Sequence, residues 1–150
     1  MVKLPLLKGI TNKADRIRFA TALQLTLESG VNLSSALKLA GETVIDATLK
    51  QKLVTIASQV SSGNQLSTSL QGVNLFDDVA LSLVAVGEES GTLANSFREI
   101  AARARQNFET WLMKFTALLE PLLILIMGGV VGSVVIIMLL SIVSINDVSF

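Results

Sequence analysis

Ser29-Gly30-Val31-Asn32-Leu33-Ser34-Ser35-Ala36-Leu37, Ser62-Gly63-Asn64-Gln65-Leu66-Ser67-Thr68-Ser69-Leu70 and Ser90-Gly91-Thr92-Leu93-Ala94-Asn95-Ser96-Phe97 are three versions of one pattern. A Ser-Gly breaker is followed by a Leu-led restart, at intervals of roughly thirty residues. A glycine after a helical run closes the helix in a left-handed conformation that other L-residues adopt at a cost. The polar residue that follows (Asn32, Asn64 or Gln65, Thr92) can accept the first free amides of the next helix. Each unit is therefore predicted to be a helical hairpin turning at Gly30, Gly63 or Gly91, and three hairpins predict an all-α, six-helix antiparallel bundle. The apolar residues agree. Leu49, Leu53, Ile56, Ala57 and Val60 keep the three-four spacing of one buried face, as do Leu93, Phe97, Ile100, Ala101, Ala104, Phe108, Trp111, Leu112 and Phe115. No alternating run is long enough for a strand. Val73-Asn74-Leu75-Phe76-Asp77-Asp78 is the least regular segment and reads as a loop.

The composition changes in the last third. Between Pro121 and Asn146 there is no charged residue, and Leu122 to Ile145 is apolar apart from glycines and serines. That stretch of about 24 residues spans roughly 36 Å as a helix, enough to cross a hydrocarbon layer of about 30 Å. A domain this small could hardly enclose so long an apolar rod, so the bundle is expected to be followed by one transmembrane helix. No breaker separates Leu93 from Glu120, so the last bundle helix is expected to continue into the membrane and couple the two. Arg98, Arg103, Arg105 and Lys114 precede the span while the tail carries only Asp147, which predicts a cytoplasmic bundle with Phe150 just across the membrane. The expected divisions are a connector over 1–12, a cytoplasmic six-helix domain over 13–116, a transmembrane helix over 117–145 and a periplasmic tail over 146–150.

Within the span, Gly128 with Gly132, and Gly129 with Ser133, form small-xxx-small pairs against which another helix can pack closely, although transmembrane helices are rich in glycine in any case. Glu120-Pro121 stands at the entrance. Its plain reading is a helix-start proline beside an interfacial acid; the sharper one is a carboxylate that packs against or couples to other membrane components.

The chemistry that this sequence excludes is extensive. With neither histidine nor cysteine, it has no Ser-His-Asp triad, no thiol nucleophile and no zinc thiolate. It lacks a phosphate-cradling glycine loop, so any ATP-driven work must be powered by another polypeptide. A formal net charge of +0 and no basic, aromatic-interleaved patch argue against nucleic-acid binding. The remaining candidates are Glu88-Glu89 beside Ser90, and Asp77-Asp78. Adjacent residues on a helix point about 100° apart, so neither pair converges on a substrate, and their spacing recommends no metal. The expectation is a non-enzyme without cofactor or metal, with Gly87, Glu88, Glu89 and Ser90 as a candidate interaction motif.

Four ordered motifs carry a family resemblance: Leu4-Pro5-Leu6-Leu7; Arg18-Phe19-Ala20-Thr21-Ala22-Leu23 leading to Ser29-Gly30-Val31-Asn32-Leu33; Val86-Gly87-Glu88-Glu89-Ser90-Gly91-Thr92-Leu93; and Leu118-Leu119-Glu120-Pro121-Leu122-Leu123-Ile124-Leu125. In this order, over nearly the whole chain, they resemble the second half of the type II secretion system protein F family, shared with type IV pilus platform proteins. Asn32 departs from the proline usual in that family, which alters the helix start but not the hairpin. The tail Leu140 to Asp147 looks nearer to secretion members. The resemblance implies an inner-membrane platform component of a type II secretion or type IV pilus machine, linking a cytoplasmic ATPase to pilin-like or pseudopilin subunits. It also implies contact with other inner-membrane components and a homo-oligomer. The bundle-plus-span architecture by itself would equally allow a membrane-anchored helical adaptor or signalling module.

Overall fold

The computed structural model describes residues 5–148, with side chains from Lys8 onward. Leu4 of the first motif, the start of the connector and residues 149–150 of the tail lie outside the described residues. Six helices follow in order: α1 (Pro5–Glu28), α2 (Leu33–Glu42), α3 (Ala47–Ser61), α4 (Leu66–Leu70), α5 (Asp78–Ser90) and α6 (Leu93–Asp147). No strand occurs among the described residues. Pro5 opens α1, a position where its missing N–H costs nothing, so residues 5–12 of the segment read as a connector are helical.

The three hairpin glycines adopt the conformation expected of them, with φ of 82° at Gly30, 100° at Gly63 and 72° at Gly91. Each turn closes with the same bond from the residue after the glycine back across the helix end. Val31 N–H donates to the Thr26 carbonyl at 3.1 Å, Asn64 to Gln59 at 3.1 Å, and Thr92 to Gly87 at 2.8 Å. This is the Schellman pattern, which satisfies a carbonyl that the helix end would otherwise leave open. Asn32 caps α2 by accepting from Ser35 N–H at 2.9 Å. Gln65, at the corresponding position before α4, makes no such bond.

The chain divides into two units, Met1–Phe108 and Glu109–Phe150. In the first, Phe19 and Leu23 from α1, Leu37 from α2, Leu53 from α3, Leu66 and Leu70 from α4, Val84 from α5 and Phe97 from α6 are all at most 2% exposed. Residues 73–76, read as an irregular loop, are part of this core: Val73, Leu75 and Phe76 are buried. The Phe76 ring lies 6.0 Å from Phe19 and 6.3 Å from Phe97, joining α1 to α6. Aromatic pairs at these distances add about 0.5–1.5 kcal/mol beyond the area they bury. In the second unit α6 continues alone, and the most apolar stretch of α6 has no buried residue. It is the one helix among the described residues that is long and apolar enough to cross a membrane.

Candidate functional site

Two segments hold the residues singled out from the sequence: the α5–α6 turn in the first unit and the apolar half of α6 in the second.

At the turn, Gly87 is buried because the start of α6 lies against it. A Cβ built there would stand 2.2 Å from Ser96 Oγ, 3.0 Å from Ser96 Cβ and 3.2 Å from Leu93 Cα. Only glycine admits this approach. Ser90 Oγ donates to the Val86 carbonyl at 2.7 Å and lies 2.7 Å from Thr92 Oγ1, so the hydroxyls on either side of Gly91 stiffen the turn. Glu88 turns inward. Its Oε1 accepts from Leu66 N–H at 2.6 Å, and its Oε2 accepts from Ser67 N–H at 3.2 Å and Ser67 Oγ at 3.1 Å. Those are the open donors at the start of α4, where Gln65 provides no cap; the missing acceptor comes from α5 instead. Glu89 is exposed. Of Gly87, Glu88, Glu89 and Ser90, three are thus occupied in holding α4, α5 and α6 together, and Glu89 presents a carboxylate at the surface.

A second inward carboxylate was not singled out from the sequence. Asp15 on α1 is 0% exposed and accepts from Ile45 N–H and Asp46 N–H, both at 3.0 Å, with Arg18 Nη1 at 3.3 Å. It fixes the turn between α2 and α3. Asp46 in turn caps α3 through Thr48 N–H and Leu49 N–H at 2.8 and 3.1 Å. Asp77 caps α5 through Ala80 N–H at 2.8 Å, so the Asp77-Asp78 pair marks a helix start. Asp15 and Glu88 had a readable signal: Asp15 is in register with Phe19 and Leu23, and Glu88 with Val84, so each places a charge on a core-facing stripe where it needs a buried partner.

Glu28, at the end of α1, pairs with Arg98 on α6. The bond from Arg98, helped by one from Gln24, holds the Glu28 carboxyl below its ordinary value. A cleft of about 500 Å³ is lined by Arg16, Asp77, Val79, Glu99, Arg103 and Asn107 among others. Arg103 is paired with Glu99 across one turn of α6 at 3.0 Å. The residues lining the cleft include two basic and two acidic side chains, Arg16, Arg103, Asp77 and Glu99.

In the second unit, Pro121 lies inside α6, which corrects its reading as a helix-start residue. The helix passes through because the bond lost at Pro121 is one among many along a long helix, and membrane helices tolerate such a loss. Glu120 is exposed, as are Gly128 and Gly129, and apart from α6's own adjacent backbone no heavy atom lies within 4 Å of a Cβ built at Gly128, Gly129 or Gly132. Among the described residues, no group of three or more His, Cys, Asp or Glu side chains is placed to hold a metal ion.

Comparison with known proteins bears on both segments. Residues 19–141 match the family model described as Type II secretion system (T2SS), protein F. A Type IV pilus assembly protein PilC of Pseudomonas aeruginosa is 30% identical over 148 residues, covering 99% of this chain and 40% of that protein. A Type II secretion system protein F of the same organism is 30% identical over 147 residues, covering 98% of this chain and 36% of that protein. A protein transport protein HofC homolog of Escherichia coli is 28% identical over 147 residues, with 98% and 37% covered. The chain therefore spans about two-fifths of the length of these curated relatives.

Proposed function

The chain belongs to the type II secretion system protein F family, and from that premise we propose that it is a cytoplasmic bundle and transmembrane helix of an inner-membrane platform, which links a cytoplasmic ATPase to the assembly of pilin-like subunits. Residues 13–116 are the cytoplasmic domain, 117–145 cross the membrane and 146–150 are periplasmic, in keeping with the basic residues upstream of the span. The observation that carries the reading is α6. One uninterrupted helix supplies Phe97, Ile100, Ala101 and Ala104 to the bundle core and then the whole apolar segment. The same helix thus carries residues of both the bundle core and the apolar segment, the covalent connection that a coupling role would use.

The test is genetic and biochemical together. Cells deleted for the gene should lose export or piliation and regain it with the gene restored, and the tagged protein purified from membranes should retain a hexameric ATPase. Normal export and piliation in the deletion strain, with no ATPase in the purified material, would overturn the proposal in favour of an unrelated membrane adaptor.

A further inference from the structure

The apolar surface of α6 begins well before Glu120. Leu112, Met113, Phe115, Leu118 and Leu119 are 41, 67, 47, 72 and 39% exposed, and Lys114 is the one charge among residues 111–119. Trp111 and Phe115 stack with ring centroids 5.5 Å apart and planes 13° from parallel. Tryptophan with a neighbouring lysine is the composition of a membrane–water interface, where the indole sits at headgroup level and the ammonium reaches back to water. With Trp111 and Phe115 at that level, Glu120 lies five to nine residues deeper, roughly 8–13 Å along the helix. The acid is then submerged, and the excess helix length is taken up by tilt.

Two hydrogen-bond acceptors coincide at that depth. The Glu120 carboxylate makes no hydrogen bond or ion pair with any described residue, and Pro121 in the helix interior supplies no N–H to the Ala117 carbonyl one turn back. Glu120 also belongs to a defined face. Met113, Glu120 and Met127 are each seven residues apart, two helical turns, and Met138 falls on the same line. These three methionines are 61–67% exposed, and methionine is the side chain that adapts most readily to a partner surface. Gly128, Gly129 and Gly132 are turned away from this face by about 80–180°, so a helix seated on the glycines leaves Glu120 uncovered.

We infer that the Met113–Glu120–Met127 face of α6 receives a transmembrane helix carrying a cationic donor, an ammonium or a guanidinium, which pairs with the Glu120 carboxylate beside the open Ala117 carbonyl. Charge complementarity selects this occupant. A carboxylate in hydrocarbon is costly, and of the groups that could relieve it a cation neutralises the charge while its remaining N–H donors reach the carbonyl. An aliphatic helix would bury both acceptors unpaired. The inference deepens the platform reading, since such a partner could be a pilin-like subunit or another helix of the machine.

The test is photo-crosslinking in native membranes of cells making the full-length protein. A benzophenone amino acid replaces Met127 on this face or Leu125 on the other side, each in wild-type, Glu120→Gln and Glu120→Leu backgrounds. Adducts are identified by mass spectrometry. The expected result is an adduct from position 127 whose apolar partner segment contains Lys, Arg or a free α-amine. It should fall about tenfold in both Glu120 variants, the factor given by about 1.4 kcal/mol of lost pairing free energy, while adducts from position 125 are unchanged. An adduct insensitive to Glu120, a partner segment without a cation, or no adduct at 127 in membranes where 125 gives one would overturn the pairing. A cationic partner foreign to secretion or piliation would leave the pairing standing and refute the platform reading.

Discussion

Removing the Glu88 carboxylate should loosen the bundle at the half-buried cap that it provides for the start of α4. Glu88→Ala leaves Leu66 N–H, Ser67 N–H and Ser67 Oγ without the acceptor they now share. Leu66 is 0% exposed and Ser67 9% exposed, so water cannot readily replace it. A buried donor left unpaired costs about 1–3 kcal/mol, and loss of a helix cap about 0.5–2 kcal/mol. The bonds share one carboxylate and do not add fully, so a loss of about 3 kcal/mol is expected for Ala. Glu88→Gln keeps one acceptor but turns an NH2 toward the Ser67 donors or forfeits one bond, for about 1 kcal/mol. Glu89→Ala, one residue away and exposed, should stay within about 0.5 kcal/mol. The assay is hydrogen exchange by mass spectrometry on the full chain in detergent. Peptides covering 62–77 should open first, at a rate raised by roughly two orders of magnitude in Glu88→Ala. A Glu88→Ala bundle as protected as the Glu89→Ala control would refute the cross-helix cap.

The other expectations are more compact. Gly87→Ala should destabilise the bundle by about 1–2 kcal/mol, the overpacking strain outweighing the gain of roughly 1 kcal/mol in helix propensity. Adding Ser96→Ala should recover part of that loss, since it removes the atom 2.2 Å from the new methyl but not Leu93 Cα; denaturant midpoints of the single and double variants check it. Valine at Gly30, Gly63 or Gly91 should cost about 1–2 kcal/mol each, whereas Gly9→Val, within α1, should cost less; equal tolerance at all four would refute the three-hairpin turn. Because Arg98 lowers the Glu28 carboxyl, the pair stabilises above the ordinary glutamate value and that contribution is lost as the pH falls through the folded-state value. Arg98→Ala should therefore differ from wild type near neutrality and converge with it in acid, read from unfolding midpoints across pH. A reporter enzyme fused after Phe150 should be active only if that enzyme works in the periplasm, and cytoplasmic activity would reverse the orientation.

Which parts of the architecture could be read from the sequence depends on the distance over which each feature is decided. The turns at Gly30, Gly63 and Gly91 are settled within about six residues, because a left-handed residue followed by a 6→1 bond is a local event; their three-fold recurrence announced the hairpins. Asn32 capping α2 is local in the same sense. Glu88 acts 21–22 residues back along the chain and Asp15 30–31 residues forward, so the adjacent Glu88-Glu89-Ser90 looked like a surface motif although one carboxylate faces in and the other out. Phe76 was assigned to a loop because residues 73–78 have no period, yet burial between Phe19 and Phe97 needs no period in a segment pinned at both ends. Pro121 was misread for the opposite reason: a local rule, that proline begins helices, met a helix long enough to pass through it. The two inward carboxylates and the outward Glu120 pose one physical question, namely what relieves a charge removed from water. In the bundle the answer is backbone N–H groups supplied by a neighbouring helix or turn of the same chain. On α6, where the described residues offer the Glu120 carboxylate no partner, the proposed cationic helix would supply the same kind of relief from outside the bundle.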